Sequence, residues 1–108
     1  MPRKQSRTED LKEMARYVGN GAAHIALYKD QPAILEASNY FGNASGIAGR
    51  RTWNKKDPDF FRREADRLAQ RVIRARHKPG SHDALAAVRQ NARDEIEKFI
   101  QAAMRIRG

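Results

Sequence analysis

Three stretches of this chain repeat their apolar residues at the spacing of an α-helix, and that periodicity narrows the available folds more than any other feature. At 100° per residue, Leu11, Met14, Ala15, Val18, Ala22, Ile25 and Ala26 fall within an arc of about 120°. Phe61, Ala65, Leu68, Val72 and Ala75 make a second stripe, with Phe60 and Ala69 at its edges. Leu85, Val88, Ala92, Ile96, Phe99, Ile100 and Ala103 make a third. No run alternates with period two. With four Phe, three Tyr and one Trp, the core must come mainly from Leu, Ile, Val, Met and Ala, which favours helices. At 108 residues, a single all-α domain is expected.

Local signals place the boundaries. Ser6 and Glu9 have the spacing of a capping box, so a first helix should start there and run to about residue 29. Its apolar phase holds across Gly19, Asn20 and Gly21. The two glycines cost roughly 1 kcal/mol each relative to Ala, which leaves a break at that point as the alternative. Asp30 and Pro32 open a short second helix over 32–41, presenting Ile34, Leu35, Ser38 and Phe41, with Gly42 as a left-handed cap. Residues 42–57 read as a loop, first rich in Gly and Asn and then basic. Asp57 as N-cap and Pro58 start a third helix over 58–77. Lys78, Pro79 and Gly80 stop it, and Ser81 caps a fourth over 82–106. The short connection predicts an antiparallel hairpin of the last two helices. Residues 1–6 read as a basic flexible arm. The expected architecture is a compact bundle of about four helices.

The net charge of +9 is unevenly spread. Residues 50–78 hold eleven basic and four acidic side chains, whereas the segments on either side are each close to neutral. On the wheel of the third helix, Arg63, Arg67, Arg71 and Arg74 lie opposite the apolar arc, and the stripe covers about 16 Å at 1.5 Å per residue. Guanidinium groups donate paired hydrogen bonds to phosphate oxygens, so such a stripe suits a sugar-phosphate backbone. The competing account is a solvated face held by pairs such as Asp59–Arg63, Arg62–Asp66 and Glu64–Arg67. Arg50, Arg51, Lys55, Lys56 and Lys78 would extend the basic surface. Trp53 either stacks on an unpaired base or folds over the bundle end as a lid. A further stripe of Tyr17, His24 and Tyr28 on the first helix would meet a partner, or else cover the second helix. A helix-turn-helix over residues 34–51 would bury Gly46 and Gly49 in its recognition helix, which argues against it.

Several classes are excluded or disfavoured. The chain has no Cys, hence no disulfide or thiolate metal site. No run approaches the ~20 apolar residues of a membrane span, and no apolar leader follows Met1, so a soluble, cytoplasmic protein without membrane contact is expected. His24, His77 and His82 lack metal-ligand spacing, and no phosphate loop or dinucleotide fingerprint is present, so neither metal nor cofactor is expected.

The order of Arg71 and His77 loosely resembles the Arg-to-His arrangement of HEPN-type helical ribonucleases, which would imply RNA cleavage. Six residues separate the two, about 240° around the helix. In size, charge and helicity the chain is similar to the small helical subunits of CRISPR effector complexes. The leading expectation is a non-enzymatic protein that binds nucleic acid without sequence preference, RNA or single-stranded DNA before duplex, as a subunit of a larger assembly. A helical interaction protein or phage structural component with a basic face is the alternative from another class.

Overall fold

In the computed structural model, which describes residues 5–77 and 80–105, four α-helices account for most of the described residues: α1 (Arg7–Tyr28), α2 (Gln31–Ala48), α3 (Asp57–Arg76) and α4 (His82–Ala103). No strand occurs among the described residues. Residues 1–4, which carry most of the expected arm, and Lys78 lie outside them.

α1 starts as its capping box dictates. Ser6 Oγ accepts from the Glu9 amide at 3.1 Å, and the Glu9 carboxylate accepts from the Ser6 amide at 3.4 Å. The helix runs unbroken through its glycines because neighbouring helices need the space. A Cβ on Gly19 would stand 2.8 Å from the carbonyl oxygen of Ala65 on α3, and one on Gly21 would stand 3.2 Å from the Phe41 ring on α2. α1 packs against all three other helices and is buried around most of its circumference. It ends at Lys29, a non-glycine residue in the left-handed region with φ 54°. Asp30 then caps α2, its Oδ1 accepting from the Ala33 amide at 2.9 Å.

α2 corrects the sequence reading: it continues past Phe41 to Ala48, so the Gly- and Asn-rich segment is helical and the true loop is residues 49–56. Ala33, Ala37, Ala44, Ile47 and Ala48 recur at helical spacing and are buried, while Gly42 and Gly46 lie outside with nothing within 4 Å of a Cβ position. Burial of that small-residue face outweighs a propensity cost of about 1 kcal/mol per glycine.

α3 differs in its first turn. Asp57 is the first helical residue, and Lys56, with no side-chain hydrogen bond, occupies the cap position. The buried stripe of α3 is Phe61, Ala65, Ala69 and Ile73, rotated from the predicted arc so that Ala75 is exposed and Ile73 is not. In α4, Ala92, Ile96, Phe99 and Ile100 are buried as the periodicity predicts, and Ser81 Oγ caps the Ala84 amide at 3.1 Å.

Cross-helix pairs give the topology. Arg62 bonds Glu97 and Arg93 bonds Asp66, a descending register that makes α3 and α4 antiparallel. Phe99 closes that hairpin, its ring centroid 5.6 Å from Phe61 and 6.4 Å from Phe41. Arg7 meets Asp57 at the start of both helices, and Gly19 meets Ala65 and Ala69 further along, so α1 and α3 run parallel. This parallel pair forms the groove described next.

Candidate nucleic-acid interface

The loop between α2 and α3 is fastened from both sides. Trp53 is 1% exposed, and its Nε1–H donates to the Ala48 carbonyl at 3.0 Å. The indole therefore ends α2 and fills the core; base stacking by Trp53, one of the two expectations, is overturned by its burial. Arg51 is also spent internally. Its Nη2 lies 2.5 Å from Asp10 Oδ2 and donates to the Gln5 carbonyl at 2.9 Å. Arg7 makes the complementary tie, donating from Nη1 to Asp57 Oδ2 at 2.7 Å and to the Thr52 carbonyl at 3.0 Å. Asn54 completes the turn, its Oδ1 accepting from the Lys56 and Asp57 amides at 3.0 and 3.2 Å. Of the predicted loop cations, Arg50, Lys55 and Lys56 remain exposed, with Arg50 set in a cleft shared with Phe99 and Arg105.

The α3 arginines are placed as the wheel requires. Arg63, Arg67, Arg71 and Arg74 are all exposed on the side away from the buried stripe. Arg67 pairs with Glu64 at 2.8 Å, whereas Arg63, Arg71 and Arg74 make no ion pair among the described residues. Arg62 is different in kind: its hydrogen bonds to Glu97, with help from Asp59, hold its guanidinium above the usual arginine pKa and tie α3 to α4. The stripe divides between two grooves, for Arg63 faces α4 beside Arg93 while Arg67 and Arg71 face α1.

That second groove lies between α1 and α3. Its first part, about 590 Å³, is lined by Lys12, Arg16, Arg67 and Leu68 together with Glu9, Glu13 and Glu64. A second part, about 360 Å³, shares Leu68 and adds Asn20, Arg71 and Arg76. A third, about 310 Å³, shares Arg76 and is walled by His24, Tyr28 and Tyr40. The three clefts follow one another along α1 and α3, with Leu68 bordering the first two and Arg76 the last two. Lys12, Arg16, Arg76 and Tyr40 were not among the predicted site residues. The i, i+4 spacing of Lys12 and Arg16 was a usable signal for the first two.

The predicted Tyr17–His24–Tyr28 face is corrected to an intramolecular one. α2 covers it: the Tyr40 ring is 6.3 Å from Tyr17 and 6.1 Å from His24, leaving only Tyr28 substantially exposed. His77, at the end of α3, is half-buried and makes no hydrogen bond with Arg71. Among the described residues no group of three His, Asp or Glu side chains could hold a metal ion, and no helix is long and apolar enough to cross a membrane.

The fold and this furrow define the chain as an all-α four-helix bundle with a groove between two parallel helices, lined by both cations and carboxylates. No family model, curated protein or solved structure matches it.

Proposed function

We propose that the protein binds the sugar-phosphate backbone of nucleic acid without strong sequence preference, as a non-enzymatic component of a nucleoprotein assembly. The observation that carries this reading is the exposure of Arg71 and Arg74, without an ion pair among the described residues, beside Arg67 on the face opposite the core, with Lys12 and Arg16 of α1 facing Arg67 across the groove. Unpaired guanidinium groups at helical spacing are costly to crowd together unless an anion shares them. Phosphates of a strand running along α3 provide that anion at successive turns.

The test is a fluorescence-anisotropy titration of labelled single-stranded RNA and DNA. Arg67→Glu with Arg71→Glu should weaken binding at least tenfold, while Arg105→Glu, outside the groove, should have a small effect. Equal losses from the two would sink the reading. A protein-contact role has its own specific support in α2, where Ile34 and Leu35 are 45% and 64% exposed. Light scattering of the purified protein addresses it, since Leu35→Lys should abolish any self-association that this face mediates.

A further inference from the structure

The furrow ends, where α1 and α3 both finish, in a cleft whose two sides differ in charge. Asp30 and Glu36 line it from the start of α2, and Arg76 lines it from α3. Between them stand His24, Tyr28 and Tyr40, with the His24 ring 5.9 Å from Tyr28 and 6.1 Å from Tyr40. His24 is fixed in place, its Nδ1–H donating to the Asn20 carbonyl at 2.7 Å, which leaves Nε2 as an acceptor in the neutral ring. Asp30 is committed to the α2 cap through one oxygen. Glu36 is exposed, and its contact with the Tyr40 hydroxyl is long, at 3.5 Å.

An anion alone would be repelled by the acidic side, and an apolar peptide side chain would leave both Glu36 and Arg76 without a use. A nucleotide satisfies both sides at once, with a flat, donor-bearing base toward the rings and carboxylates and a phosphate toward Arg76. We infer that this cleft receives one unpaired nucleobase carrying an exocyclic amino group, stacked against Tyr28 and donating to Glu36, while the neighbouring phosphates pass over Arg76 and Arg71. The inference rests on the backbone-binding reading and narrows its ligand to single-stranded nucleic acid, because a base within a duplex is not free to leave its stack. The volume of about 310 Å³ is at the small end of ligand clefts and is large enough for a base.

Anisotropy titrations of the full chain test it, using oligonucleotides of equal length made of adenine, cytosine, thymine or abasic units, and a duplex. The adenine and cytosine strands should bind roughly tenfold more tightly than the abasic strand, and Tyr28→Ala should remove that advantage while Tyr28→Phe keeps it. Glu36→Leu, which removes the acceptor at an exposed position, should erase the preference of adenine and cytosine over thymine. Tyr28 is 45% exposed, so its truncation leaves the core intact, which circular dichroism checks. Equal affinity of the wild-type protein for abasic and intact strands overturns the base pocket. If Arg67→Glu with Arg71→Glu still abolishes binding in that case, backbone recognition stands alone. If those arginine replacements leave binding unchanged, the backbone reading falls and the pocket with it.

Discussion

Arg51 of the loop and Asp10 of the first turn of α1 form an ion pair with Nη2 2.5 Å from Oδ2, and the carboxylate is 1% exposed. Removing one partner of such a pair leaves a buried charge without compensation, which typically costs about 3–5 kcal/mol. Arg51→Ala, which strands the buried Asp10 carboxylate, should therefore lower the urea midpoint sharply. Asp10→Leu combined with Arg51→Met should recover much of that loss, because the pair's net contribution is smaller than the penalty for breaking it. Arg62→Ala is the contrasting case: both it and Glu97 are 42% exposed, and solvent screening should limit the cost to about 1 kcal/mol or less.

Backbone positions should respond according to what surrounds them. Gly19→Ala would press a methyl group onto the Ala65 carbonyl, at 2.8 Å, and should destabilise the protein by about 1–3 kcal/mol. Gly42→Ala and Gly46→Ala face open space in a helix and should each stabilise it by about 0.5–1 kcal/mol. Lys29→Gly, at the left-handed position, should also stabilise, by about 1 kcal/mol. Thermal melts of the four variants check the signs, and stabilisation by Gly19→Ala would contradict the close helix approach.

Trp53 is the only tryptophan, so its fluorescence reads one environment. Its burial predicts blue-shifted emission, weak quenching by acrylamide, and no change in either on addition of nucleic acid. Quenching by an oligonucleotide would show that the loop opens on binding.

Binding through the groove should depend steeply on salt. If Lys12, Arg16, Arg67, Arg71 and Arg76 engage phosphates of a single strand, the logarithm of the affinity should fall with a slope of about −3.5 against the logarithm of salt. Each cation removed should make the slope shallower by about 0.7. An affinity insensitive to salt would rule out phosphate contacts as its source.

Much of this architecture is legible in residue order. The capping box of Ser6 and Glu9, the unbroken phase through Gly19 and the α4 stripe all follow from local rules, and the arginine face of α3 follows from where its apolar residues lie. What fails is instructive. Gly42 and Gly46 signal a break by propensity, yet Ala33, Ala37, Ala44 and Ala48 keep a buried face in phase, and packing against α1 decides the outcome. Tertiary ties also decide the fate of the loop. No local rule reveals that Arg51 will find Asp10, forty-one positions away, or that Trp53 will close on Ala48. The groove itself needs α1 and α3 side by side, so Lys12, Arg16 and Tyr40 acquire meaning only in three dimensions.

The parallel alignment of α1 and α3 sets two helix dipoles of the same direction side by side, opposed elsewhere in the bundle by α2 and α4, which run the other way. Neighbouring antiparallel helices cancel one another's dipoles, whereas this pair sets two positive ends together and two negative ends together. The acidic residues in the first turns, Glu9 and Asp10 on α1 and Asp57 and Asp59 on α3, balance the first end, and Arg74 and Arg76 in the last turn of α3 balance the second, where the last turn of α1 holds no cation and Lys29 stands at its cap. Those two arginines thus serve the resting protein as well as any strand it holds: a charge reversal there unsettles the fold's own field, whereas one at Arg67, in mid-helix, leaves that field alone.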